Sequence, residues 1–327
     1  MTRHIPVLLE ETLGGLHLTN GDTAVDATFG GGGHALEILK SVLPEGRLIG
    51  IDADSGALLR FRNEGEPDAF LGPLLEKERI VLIHANYSEL ETILERLDIP
   101  QVDAILADLG FSSDQIGDPT RGFSFMEDGP LDMRLNQETS LRADGSTPLT
   151  AERIVNTYSL GELANLLKTY GDETDGKRIA EAIIRTREET PFMTTKALRE
   201  CVEKAVPRRR GRGQKIHPAT KTFQALRIVV NSEYEHLEAF LDQAVQKLKP
   251  GGRIGIISFH SGEDRIVKQK FRFHTKGCIC PPEFPICQCG KAPLLRILTT
   301  KPIEASEREQ QKNPRSRSAK LRIAEKV

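Results

Sequence analysis

The chain has 327 residues, of which 38% are hydrophobic and 28% charged, with a formal net charge of −2 at pH 7. That length supports one large or two moderate domains, each burying its own core, and two are expected. No run approaches the ~20 apolar residues of a membrane helix, and the first residues lack the basic-then-apolar pattern of a secretory signal, so the cytoplasm is the expected compartment.

In chain order, apolar runs near Thr23 to Ala27, Leu48 to Ile51, Ile80 to His84 and Val102 to Ala107 predict strands, with helices between them. Between the last two, Leu90, Ile93, Leu94 and Leu97 share one helical face behind a Ser88 cap. Strands alternating with helices predict an α/β fold with a parallel, doubly wound sheet. Ligands of such sheets sit beyond the carboxyl ends of the strands, where Gly30 to His34, Asp52, Asn86, Tyr87 and Asp108 all fall.

After Phe111 the pattern turns loop-rich and then helical. Leu163, Leu166, Leu167 and Tyr170 form one stripe, and Ile179, Ile183 and Ile184 another. A helix from Glu235 to Leu248 stops at Lys249-Pro-Gly-Gly252, and Arg253 to Phe259 reads as a buried strand. The expected organisation is therefore a sheet domain in two parts, 1–116 and 217–327, interrupted by a helical subdomain over 117–216.

Charge is unevenly spread. From Lys204 to Ser232 there are eight Lys or Arg and no acid, and Lys312, Arg315, Arg317, Lys320 and Arg322 form a second basic run. Both read either as phosphate-binding footprints or as a solvated loop and tail.

The glycines Gly30, Gly31, Gly32 and Gly33 let the backbone turn sharply and approach a ligand, and the helix start behind them favours anionic groups. Asp52, closing the next strand, can accept both ribose hydroxyls of an adenosine. Gly30, Gly32 and Ala35 also satisfy the loose dinucleotide pattern, so an NAD-dependent oxidoreductase is the rival reading. Asp108-Leu-Gly-Phe-Ser-Ser113 and the helix-turn-strand through Lys249 to Arg253 favour a methyl-donor site over that rival.

Taken together, His4 to Leu9, Asp26 to His34, Asp108 to Ser113, Arg121 to Met126, Gly129 to Arg134, His217 to Thr220, Phe223 to Ala225, Ser258 to Ser261 and Asn313 to Arg315 resemble one family. It is the bacterial 16S rRNA cytosine-N4 methyltransferases, the RsmH or MraW family. The resemblance implies a class I (Rossmann-like) methyltransferase sheet with an inserted helical subdomain. It also implies methyl transfer from S-adenosylmethionine to the N4 amine of a cytidine in the decoding region. Carried across by motif, cofactor contacts fall on Gly32, Gly33, His34, Asp52, Tyr87, Asp108 and Gln115. The implied partner is 16S rRNA or the small ribosomal subunit, held by the helical insert and by Arg208, Arg209, Arg210, Arg212 and Lys215. A second copy of the chain stays open as a partner.

Cytosine's exocyclic nitrogen is a poor nucleophile, so an acceptor for its hydrogens helps it attack. Asp108 is the catalytic candidate, with the Leu109 carbonyl as the other choice; Ser112, Ser113 and His260 are candidate neighbours of the base. Four of the five cysteines, Cys278, Cys280, Cys287 and Cys289, form two C-x-C pairs, close enough for a tetrahedral structural zinc site or for reduced, idle thiols.

Overall fold

The structure is a computed structural model describing residues 6–64, 74, 78–111, 113–137, 147–206, 217–281, 284 and 286–327. It divides into two compact units, Met1–Gly110 with Tyr234–Val327, and Phe111–Glu233. The chain begins in the first unit with α1 (Leu9–Leu16), β1 (Thr23–Asp26), α2 (Gly33–Val42), β2 (Arg47–Asp52), α3 (Ser55–Glu64), β3 (Ile80–His84), α4 (Leu90–Arg96) and β4 (Val102–Leu109). The second unit holds α5 (Ser113–Gly117), α6 (Ala151–Thr157), α7 (Leu160–Gly171), α8 (Gly176–Glu189), α9 (Thr195–Ala205) and α10 (Thr220–Val230). Then follow α11 (Glu233–Lys247), β5 (Leu248–Ser258), α12 (Ser261–Thr275), β6 (Leu295–Ile297), β7 (Ile303–Glu304), α13 (Glu307–Lys312) and β8 (Lys320–Lys326).

Among the described residues the first unit has one sheet, in the order β3-β2-β1-β4-β5-β8-β6, with β7 also on β8. The first five strands are parallel, and β8 runs antiparallel between β5 and β6. Successive side chains on a strand point to opposite faces. Ile105, Ala107 and Leu109 of β4 accordingly join α4 and α11 residues such as Leu94, Phe240 and Leu241 in one core. Ala104 and Leu106 join Ile38, Leu39 and Val42 of α2 in the other. Helices on both faces place the carboxyl ends of β1, β2 and β4 along one edge, which is what positions the site.

Three expectations change. The Lys249-Pro-Gly-Gly252 stretch does not precede the strand but lies inside β5 as an irregularity: Val102 pairs Leu248, the next pair is Ala104 with Arg253, and Gly251 adopts φ +81°. The second unit is also longer than 117–216. Phe223, Ala225, Leu226 and Val230 of α10 are buried with Leu163, Ile179 and Leu198, so the chain returns to the sheet after Glu233 rather than at His217. Finally, the second basic run is no tail. Lys320 and Arg322 belong to β8, and the Arg322 guanidinium, 6% exposed, meets Asp264 through Nε at 2.6 Å and Nη2 at 3.1 Å. An Arg committed to a carboxylate in this way is withdrawn from phosphate binding.

The second unit owes much of its frame to the motifs. Asn231 accepts the Leu135 N–H at 2.8 Å and donates to the Met133 carbonyl at 2.8 Å. Thr195 Oγ1 accepts the Gly129 N–H at 3.0 Å and donates to the Glu127 carbonyl at 3.0 Å. A Cβ at Gly129 would lie 1.9 Å from the Pro119 carbonyl oxygen, so only glycine closes that approach. Among the described residues no helix is long and apolar enough to cross a membrane.

Candidate active site

The glycine loop joins β1 to α2 and is tied to β2. Gly30 N–H donates to Asp52 Oδ2 at 2.6 Å, Asp54 N–H donates to Oδ1 of the same carboxylate at 2.8 Å, and Phe29 N–H reaches the Ile51 carbonyl at 2.9 Å. Asp52 therefore shapes the loop, with lone pairs on both oxygens left over for a diol. Gly32 is the N-cap of α2 at φ +76° and supplies no capping side chain. The first N–H groups of a helix have no intrahelical acceptor, so this end suits an anionic group such as an amino-acid carboxylate. A Cβ on Gly32 would fall 2.6 Å from the Phe61 ring, and one on Gly33 3.0 Å from Pro6. Gly32→Ala, facing both that clash and the left-handed backbone, should cost about 1–3 kcal/mol, read as a lower thermal midpoint. An unchanged midpoint in a melting experiment would contradict the assigned loop geometry.

Three acids end three adjacent strands. Asp26 is 1% exposed and accepts the Thr28 N–H at 3.2 Å. Thr28 Oγ1 in turn accepts the Asp108 N–H at 2.6 Å, linking the ends of β1 and β4. Asp108 Oδ1 is buried with no hydrogen-bond partner, while Oδ2 stands 3.7 Å from His34 Nδ1. Burial pushes the Asp26 carboxyl from its ordinary 3.8 up to about 7, with His34 and the Thr28 N–H opposing. Burial also lifts Asp108 to about 7, helped by the negative charge of Glu263. Asp52 moves up for the same primary reason, held back by the N–H groups of Asp54 and Gly30.

His34 offsets this negative charge only in part. Its Nε2 lies 2.9 Å from the Val7 carbonyl, which can only accept, so the neutral ring carries its proton there and leaves Nδ1 bare toward Asp108. Burial lowers the imidazole's pKa further from its ordinary 6.5, against the pull of Asp26. The edge is thus rich in acids and short of cation, an arrangement complementary to a ligand that brings its own positive charge.

The sequence-derived residues sort into two groups. Gly32, Gly33, His34, Asp52 and Asp108 are brought together at the β1, β2 and β4 ends, although His34 spends one nitrogen on Val7 rather than facing outward with both. Tyr87 follows β3, its ring packed on Phe240 at 5.2 Å and 75°. Gln115 is buried in α5 of the second unit. Asn86 caps the short turn after it, accepting the Ser88 N–H at 2.9 Å. His260, a candidate neighbour of the base, instead caps α12: its Nδ1 accepts the Glu263 N–H at 3.4 Å and its Nε2 lies 2.9 Å from Glu263 Oε1. Arg208, Arg209, Arg210, Arg212, Lys215 and Ser112 lie outside the described residues. Asp26, Thr28 and Glu263 received no role from the sequence, although an acid closing the otherwise apolar strand at Asp26 is itself a signal.

All of the chain, residues 1–327, matches the MraW methylase family. The chain belongs to the MraW methylase family. Curated relatives agree across their length. A protein of Clostridium botulinum strain 657 named ribosomal RNA small subunit methyltransferase H is 46% identical over 325 residues, covering 99% of each chain. One of the same name from Symbiobacterium thermophilum is 45% identical over 324 residues, covering 99% of this chain and 96% of its own. Among solved structures, an rRNA methylase from Streptococcus thermophilus superposes with a TM-score of 0.39 at 11% identity, covering 100% of this chain and 99% of that one. The methylase fold is the class I type, with the helical unit inserted after β4. The dinucleotide reading finds no support: beyond β4 the sheet continues with one parallel strand and then the antiparallel β8, rather than a second parallel nucleotide-binding half.

Proposed function

We propose that this methylase transfers the methyl group of S-adenosylmethionine to the N4 amine of a cytidine in the decoding region of 16S rRNA. The observation that carries the reading is the acid edge: buried Asp26 with the half-buried Asp52 and Asp108 at adjacent strand ends, beside an α2 N-terminus without a side-chain cap. The donor is a sulfonium cation with an amino-acid carboxylate and a ribose diol, and each has a matching feature there. When bound, it supplies an electrophilic methyl group.

The roles follow from chemistry. Asp52 accepts the ribose hydroxyls while holding Gly30, and the α2 N–H groups face the carboxylate. Asp26 and Asp108 stabilise the positive charge. Tyr87 neighbours the adenine. Asp108 Oδ1, buried and without a partner, takes a hydrogen of the cytidine amine as its lone pair turns toward the methyl carbon. The names of the relatives support a small-subunit rRNA substrate. The Arg208–Lys215 run adds phosphate affinity rather than base choice.

The test is direct. Labelled S-adenosylmethionine, unmodified small subunits and the protein are incubated, and the RNA is digested to nucleosides. N4-methylated cytidine is the expected product; label on another nucleoside, or none with the donor bound, rejects the assignment.

A further inference from the structure

Between α12 and β6, residues 276–294 contain no helix or strand among those described. Leu294 at their end packs against the sheet core, but around the cysteines the apolar side chains build none: Ile279 is 51% exposed, Phe284 48% and Ile286 74%. So short a segment, with so little buried, cannot be ordered by hydrophobic burial alone. Yet its four cysteines converge. The sulfurs of Cys278, Cys280, Cys287 and Cys289 all lie within 4.8 Å of one another, with Cys287 to Cys289 at 3.5 Å and Cys278 to Cys289 at 3.8 Å.

Those separations match a known geometry. Four thiolates at about 2.3 Å from a tetrahedral zinc ion stand about 3.8 Å apart. The backbone is already arranged around the sulfurs: Cys280 N–H points to Cys278 Sγ at 3.4 Å, Ile279 N–H to Cys289 Sγ at 3.4 Å, and Gln288 N–H to Cys280 Sγ at 3.3 Å. N–H groups aimed at sulfur are what a charged thiolate cluster needs around it. All four cysteines are free rather than paired in disulfides, and the cluster is solvent-accessible, so an ion can enter.

We propose that Cys278, Cys280, Cys287 and Cys289 bind one zinc ion as a closed tetrathiolate that fixes the 276–294 segment. On binding, four thiols release four protons and four sulfur lone pairs coordinate the divalent ion, leaving a net charge of −2 that the N–H groups offset. With four protein ligands no position is left for water, so the metal is structural and takes no part in methyl transfer. Soft thiolates select zinc over the oxygen-loving divalent cations.

The full chain, purified under reducing conditions, should carry about one zinc per chain by elemental analysis, released by a thiol-binding mercurial. Cobalt replacing it should give the intense thiolate charge-transfer and visible ligand-field bands of a tetrahedral sulfur site. Cys287→Ser with Cys289→Ser should abolish both signals, whereas Cys201→Ser, at the buried cysteine of the second unit, should keep them. Metal removal should speed proteolysis within 276–294 by about tenfold while leaving the rest of the chain intact. A protein that stays metal-free and gives no tetrahedral cobalt spectrum overturns the proposal. So does a mass lower by two disulfides, iron in place of zinc, or equal zinc loss in Cys201→Ser. The wild-type cobalt titration does not depend on any variant folding.

Discussion

Asp108→Asn should lower kcat for methyl transfer by about two to four orders of magnitude, beyond the weaker donor binding, seen as a higher KM for S-adenosylmethionine, that follows from losing one of two acids at the sulfonium. The replacement keeps the shape of the side chain and the backbone N–H bond to Thr28 Oγ1 but leaves no carboxylate at Oδ1 to take a proton from the amine. A KM that rises while kcat holds would reduce Asp108 to a binding group. The same change should make the ligand-free protein more stable at about pH 8. Asp108 is harder to ionise folded, at about 7, than unfolded, near 3.8. Below the unfolded value both states are protonated and its burial carries no ionisation cost. Between the two values the unfolded state loses its proton first, so stability falls as pH rises, and above about 7 the full cost remains. Some three pKa units set an upper bound of about 4 kcal/mol, which the asparagine escapes. Urea denaturation at about pH 5 and pH 8 reads this directly: the variant's advantage should be more than twice as large at the higher pH.

The second large effect is a pH-dependent preference between donor and product. S-adenosylmethionine carries a sulfonium charge that S-adenosylhomocysteine lacks. Asp26 and Asp108, both near 7 in the ligand-free site, are favoured as anions once a cation arrives, so donor binding should release protons. Above about pH 7 the acids are ionised and the donor is held well. As pH falls through that value the donor must expel protons, and its affinity relative to the product should drop by up to about tenfold per pH unit for each linked proton. Calorimetric titration in two buffers of different ionisation heat counts the protons. A donor-to-product affinity ratio flat from about pH 5.5 to 8 would show that the acids do not face the sulfonium.

The parallel half of the sheet was legible because each strand is a short apolar run followed by an amphipathic helix, a pattern that few other folds produce. The gathering of the candidate residues on one edge was legible for the same reason, since Gly30 to His34 follow β1 while Asp52 and Asp108 lie at the ends of β2 and β4. β6 and β7 escaped because three and two residues are too few to show a period. β8 did show one. Leu321 and Ile323 alternate with Lys320 and Arg322, but the charges were read as a run instead of as the other phase of a strand. The limit of the helical unit was hidden because nothing in the sequence marks α10 as belonging with the helices before it; only the burial of Phe223 and Leu226 does. His34 stands at the start of α2, and its bond to Val7 joins residues 27 apart, which no local pattern reveals.

The place of β8 sets the order in which the molecule can be finished. Of the eight strands among the described residues it is the last to be synthesised, yet it sits inside the sheet, between β5 and β6. Until it leaves the ribosome, β5 presents an unpaired row of N–H and C=O groups, and Asp264 waits for Arg322. The contiguous second unit, Phe111–Glu233, faces no such delay. A copy cut short by a single strand therefore carries a finished helical unit on an open sheet, the kind of exposed edge that marks a chain for aggregation or degradation.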